Sequence, residues 1–348
     1  MVWEKNAAAG KAWNYTYDNG GNILSRTEYT YSTNGTVSGS GTTTSYTYGD
    51  AEWGDLLTAY NGEAITYDGI GNPLSYRGWT MSWQSGRQLA SMTKGSDTIS
   101  FAYNESGLRT SKTVNGVSHS YVWQGSKLAA DITDAYALYF HYDSSGEVIG
   151  FTRTANSTDA EYFYVKNLQG DILKVITATG TEAATYTYDA WGKLLTSTGD
   201  MADVNPMRYR GYFYDTETSL YYLQSRYYDP EVSRFINPDA YVSTGQGILG
   251  TNMFTYCDNN PIIYADFSGT ISELVILPVG TTLASIVSTA VIAVAAVVAV
   301  VAVVYLVYTA ADYVVDNINE YNSQHSTANI GTAAIPSAKT TTDSSLEK

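Results

Sequence analysis

"YTYDNGGNILSRTEYTY", residues 15–31, decides the fold. Tyr15 and Tyr17 flank Thr16, so both rings lie on one face of a strand. Asp18 starts a turn through its own side chain, and Gly21 supplies a positive φ. Ile23 and Leu24 open the returning run, and the stretch reads as a β-hairpin with one aromatic face. The unit recurs: "ITYDGIGNPLSYRGWTMSW" begins at Ile65, "FAYNESGLRTSKTV" at Phe101, "FHYDSSGEVIGFTRT" at Phe140 and "YTYDAWGKLLTSTGD" at Tyr186. "YFYVKNLQGDILKVIT", from Tyr162, is a looser copy. The turns carry Gly21, Gly71, Gly107, Gly146, Gly170 and Gly192. A single hairpin is not stable alone, so these units must stack or join in one continuous antiparallel sheet. "STNGTVSGSGTTTS", from Ser32, reads as loop or weak strand between two of them.

Composition agrees. The 348 residues include 32 Tyr, 30 Gly and only 8 Phe, with 15% charged residues, a mainly β profile. A net charge of −15 argues against nucleic acid as a partner and gives no polybasic signal for anionic lipid. Cys257 is the single cysteine and has no nearby histidine, so it reads as a small packed residue. His119, His141 and His325 lie far apart, without zinc-ligand spacing. No metal, cofactor or small-molecule substrate is expected. The tyrosine stripes read as sheet packing rather than as a sugar platform. The N-terminus lacks the apolar core of a secretory signal and runs straight into repeats, which suggests the tail end of a longer chain.

From Arg208 the texture is denser and does not repeat. "SRYYDPEVSRFINPD", residues 225–239, packs Arg226, Asp229, Arg234 and Asp239 between loop-formers, ahead of Asp266. These charges either hold a structural corner, with Arg226–Asp229 as a local ion pair, or some carboxylates do chemistry. If Asp239 and Asp266 meet, one of them must hold a proton. The ionised carboxylate can then activate water while the protonated one polarises a peptide carbonyl, and Arg226 orients them.

After Gly269 the character changes again. No charged residue lies between Glu273 and Asp312, and "ASIVSTAVIAVAAVVAVVAVVYLVYTAA" exceeds the roughly 20 apolar residues needed to span a bilayer. Tyr305 and Tyr308 sit near its end, as interface aromatics would. A membrane helix over about 283–310 is expected, with a buried hairpin of two core helices as the alternative. The end of the chain reads as disordered.

These residues resemble the Rhs/YD-repeat family. The hairpins are similar to its YD repeats. "RGYFYDTETSLYYLQSRYYDPEVSRFINPD", "NMFTYCDNNP" and "ADFSG" are similar to its Rhs repeat-associated core. The resemblance implies antiparallel hairpins in part of a hollow β-shell over residues 1–185, a core over 186–270 that plugs the shell, and a variable region over 271–348. It also implies an upstream shell segment as a partner. In several members the core is a self-cleaving aspartyl protease, and that chemistry carries over to Arg226, Asp239 and Asp266, with the cut near Gly269–Thr270. Ser219 and Ser233 stand where the family usually has glycine, at a cost of about 1 kcal/mol each if φ is positive. Phe267 replaces a proline that would stiffen the chain before the cut, and Asp239 is followed by Ala240 rather than proline.

The expected function is the C-terminal part of a toxin-delivery or contact-dependent competition protein. Its tail would act on a membrane through residues 283–310, with a small immunity protein as partner. The expected location is a membrane, the cell surface or outside the cell. A membrane-anchored structural or adhesion protein is the alternative, and an inactive truncated remnant a third reading.

Overall fold

The computed structural model describes residues 1–32, 34–241 and 251–274. The hairpin turns form as the repeat chemistry dictates. At Asp18, Asp68, Asn104, Asp143, Asn167 and Asp189 the side-chain oxygen accepts backbone N–H groups two and four residues on. The glycine three residues on donates back to the same residue's carbonyl, and its φ lies between 80° and 93° in all six turns. Each turn is thereby saturated within five residues of chain. A register shift sits beside each of them, as at Thr16/Tyr17 and Thr187/Tyr188.

The tyrosine ahead of the turn residue has a second duty. The hydroxyls of Tyr17, Tyr67, Tyr103, Tyr142 and Tyr188 donate to the carbonyls of Met1, Leu57, Leu89, Leu128 and Ile172. Each ring fills apolar space while its hydroxyl satisfies a backbone acceptor further up the chain, which phenylalanine could not do. This explains tyrosine rather than phenylalanine at these five positions.

The hairpins join in strict chain order. Trp3–Asn6 to Glu63–Ala64 make a six-stranded antiparallel sheet, and Thr66–Tyr67 to Leu194–Thr198 a fourteen-stranded one. The stretch from Ser32 supplies a full strand, Val37–Thr47. Glu182–Tyr188 and Leu194–Thr198 continue the larger sheet past the expected 185/186 boundary, and Met1–Leu277 form one compact unit.

The strip curls until its two ends meet. Glu4 Oε1 accepts from Ala190 N at 2.7 Å, 186 residues on, and Tyr15 packs on Trp191 at 5.7 Å between ring centroids. Its inner aromatic face closes on a four-stranded antiparallel sheet, Phe213–Asp215, Leu220–Leu223, Arg226–Asp229 and Arg234–Phe235. Every residue of these four strands is buried. The core segment thus sits inside the strip.

Polar pins cross between the two. Arg109 and Lys112 reach Asp215; Tyr76 and Arg77 reach Asp229; Arg26 and Tyr60 reach Glu231. Buried charges are tolerated only when paired and hydrogen-bonded in this way. Among the described residues no helix is long and apolar enough to cross a membrane; the helix expected at 283–310 and the end expected to be disordered lie outside them.

Candidate functional site

The charges of residues 225–239 divide between two tasks. Arg226 and Asp229 lie three apart on one strand, so they point to opposite faces and make no local ion pair. Asp229 instead accepts from Arg77 Nη1 at 2.7 Å and from the Tyr76 hydroxyl at 3.0 Å. Arg234 donates to Asn22, Tyr48 and the Asp55 carbonyl. These two residues lock the core segment into the strip.

Arg226, Asp239 and Asp266 come together. Arg226 Nη2 stands 3.0 Å from Asp239 Oδ2 and 3.1 Å from Asp266 Oδ2, and all three residues are 5% exposed or less. Arg226 Nη1 donates to the Met253 carbonyl at 3.0 Å, and Nε to the Gly269 carbonyl. The guanidinium lies over the Phe235 ring, 3.5 Å from its centroid. One buried cation therefore serves two carboxylates and the carbonyl at the expected cut.

Asp266 is held in a nest of backbone donors. Its Oδ1 accepts from Ser268 N, Gly269 N and Thr270 N at 3.3, 2.7 and 3.0 Å. Its own N–H donates to the Tyr212 hydroxyl at 3.0 Å. Burial pushes the Asp266 carboxyl above the usual carboxylate range, against the pull of Arg226 and the three N–H groups. Burial likewise lowers the Arg226 guanidinium, against Asp266 and Asp239. Asp239 is anchored through Tyr241 N, which donates to its Oδ1 at 2.9 Å.

The chain from Asp266 to Thr270 wraps around its own carboxylate and delivers the Gly269–Thr270 bond to Arg226. Gly269 has φ +74°, and a Cβ there would stand 2.6 Å from the Leu223 carbonyl oxygen. Only glycine fits that seat. The residues that sequence reasoning missed are Ser225, Tyr212 and Phe235, and the backbone carbonyl of Met253. All four lie within the quoted core stretches, but nothing in their spacing marks them; each acts through a contact made by folding. Cys257 is buried as expected, and burial raises its thiol far above the ordinary range.

The sequence matches the model of the Teneurin YD-shell family over residues 2–262, and the chain belongs to that family. It is 35% identical over 221 residues to the tRNA3(Ser)-specific nuclease WapA of Bacillus spizizenii and to the tRNA nuclease WapA of Bacillus subtilis. The match takes in 61% of this chain but only 9% of either relative's length. Toxin protein Tse5 of Pseudomonas aeruginosa is 36% identical over 72 residues, 21% of this chain and 5% of the relative. Among solved structures, TcdB2-TccC3-TEV aligns with TM-score 0.57 over 74% of this chain and 13% of that one, at 18% identity. The Photorhabdus luminescens Tc holotoxin pore gives 0.56 over 78% of this chain and 13% of that one, also at 18% identity. These likenesses show the fold: a YD-shell module similar to parts of toxin proteins.

Proposed function

We propose that this module closes a toxin shell and cuts itself once, between Gly269 and Thr270, to free the segment that follows. The observation that carries this reading is the double grip of Arg226. One of its nitrogens holds both carboxylates, and another holds the carbonyl of the bond to be cut.

The chemistry is hydrolysis by a carboxylate pair sharing one proton. Asp239 takes a proton from water as the water oxygen bonds to the Gly269 carbonyl carbon. Arg226 stabilises the negative charge that develops on the carbonyl oxygen. Thr270 N donates to Asp266 Oδ1 at 3.0 Å in the intact chain; once water has added, that nitrogen turns pyramidal and its freed lone pair takes the proton of Asp266 as the C–N bond breaks. The products are a Gly269 carboxyl and a Thr270 amine, and the pair still holds one proton. The reaction happens once per chain and needs no cofactor.

The freed segment carries no charged residue between Glu273 and Asp312, so it offers few groups for nuclease chemistry. A membrane is its target in this reading, and a cell producing it needs a small protective membrane protein. The related nucleases and toxin support delivery as the purpose of the module.

The test is the intact mass of the purified chain beside an Asp239→Asn variant. Wild type splitting at Gly269–Thr270 while the variant stays whole is the expected result. If both stay whole, the buried charges serve only as a structural plug and an anchored surface protein becomes the better reading.

A further inference from the structure

We infer that Ser225 is a further catalytic residue of this cleavage, donating its hydroxyl proton to the Gly269 carbonyl oxygen as that oxygen gains negative charge. The inference rests on the cleavage proposed above and deepens it.

Ser225 reaches the site because of a tight hairpin. Leu223 pairs with Arg226, which leaves Gln224 and Ser225 as a two-residue loop with φ +60° at Gln224. Gln224 Nε2 donates to the Ser126 carbonyl at 3.1 Å and ties the loop to the surrounding strip. Ser225 N approaches the Ser268 carbonyl at 3.3 Å, which lays the loop against the chain entering the cut. Its Oγ then stands 2.7 Å from the Ser268 carbonyl oxygen and 2.7 Å from that of Gly269.

A hydroxyl has one proton to donate. It cannot serve both carbonyls at full strength, so in the intact chain neither holds it firmly. When water adds to the Gly269 carbon, that oxygen becomes an anion while the Ser268 oxygen stays neutral. The proton then belongs to Gly269, and the bond is stronger in the transition state than in the ground state. Only such a difference speeds a reaction. Arg226 cannot do this alone, because its nitrogens are already divided among Gly269, Met253, Asp239 and Asp266. Ser225 stands on the exposed lip of the site, whereas Gly269 is buried. Removing it should therefore cost roughly 10- to 100-fold in rate, at or below the 10²- to 10³-fold seen for enclosed oxyanion donors.

The experiment is a pulse-chase of the full chain made by cell-free synthesis, following the appearance of the 1–269 fragment. Wild type, Ser225→Ala and Ser225→Thr are compared. Thermal midpoints are measured on uncut chains carrying Asp239→Asn with and without Ser225→Ala. The proposal expects slow cleavage for Ser225→Ala, near-normal cleavage for Ser225→Thr, and equal midpoints. Equal rates for wild type and Ser225→Ala overturn the role of Ser225 and leave the cleavage standing. Loss of rate in both variants, or a lower midpoint, assigns Ser225 to structure alone. An uncut wild type overturns the cleavage itself, and this inference with it.

Discussion

Arg109 and Asp215 form a buried two-pronged ion pair, Nη1 to Oδ2 at 2.6 Å and Nη2 to Oδ1 at 3.1 Å. Arg109 comes from the strip and Asp215 from the core segment, and each side chain is 1% exposed. The guanidinium also faces the rings of Tyr222, Phe213 and Tyr121 at 4.4, 4.9 and 5.0 Å. Removing one partner strands the other charge in a dry site. Asp215→Ala should therefore cost about 3–5 kcal/mol in urea unfolding, and Arg109→Met combined with Asp215→Leu should cost less. A double variant as unstable as the single one would mean that packing, not charge, sets the cost.

The meeting of the strip's ends should weaken as pH rises. Burial pushes Glu4 up to about 8, helped by the charge of Asp189, and pushes Asp189 up to about 6, while Arg26 pulls both back down. Carboxyls raised in the folded state give stability that is fully present below about pH 4 and is lost as pH climbs through the folded values. Thermal midpoints of wild type and Glu4→Gln should draw apart from about pH 5 upward, the variant becoming the more stable. A difference that stays constant with pH would show that Glu4 does not titrate at this contact.

Asp215 shifts the other way. Burial alone would raise it, but Arg109 and Lys112 hold it below the usual range. Its contribution is present above the unfolded value near 3.9 and is lost as pH falls further. Below about pH 4 wild type should lose stability faster than a variant lacking this carboxylate, checked by acid titration of the unfolding midpoint.

Ser219 and Ser233 adopt φ +59° and +61°, so the backbone there wants glycine. Ser233 is fully buried and its hydroxyl has no hydrogen-bond partner among the described residues. Ser219→Gly should stabilise by about 1 kcal/mol, and Ser233→Gly by that much or more, since it also removes an unpaired buried polar group. Calorimetry checks both; a loss of stability at Ser233 would reveal that its Cβ packs usefully.

Gly269→Ala places a methyl against the Leu223 carbonyl oxygen and the Ser225 hydroxyl, at 2.6 and 2.7 Å before relaxation. The chain must then leave the Arg226 seat. Cleavage should fall by on the order of 10²-fold or more, as when reacting groups are displaced by about 1 Å. A chain that still cuts as fast as wild type would place the scissile bond elsewhere.

The local architecture was legible from residues because each turn closes its own hydrogen bonds. Asp18 needs only residues 20–22, and the same holds at every copy of the repeat. Arg226, Asp239 and Asp266 were singled out through their resemblance to a known core, and folding brings the three side chains together. The partner of Asp229 was not. A sequence reader pairs it with Arg226, three residues back, but strand alternation sends the two apart, and Arg77 arrives from 152 residues away.

The amino-acid sequence by itself determined the hairpins and their order, because these depend on spacing along the chain, and its resemblance to a known core picked out the charged trio. Tertiary structure alone decided that the strip curls around the core segment, that Glu4 meets Ala190, and that Ser225 reaches the Gly269 carbonyl. Those contacts depend on the accumulated twist and curl of many strands, and no short window of sequence carries that sum.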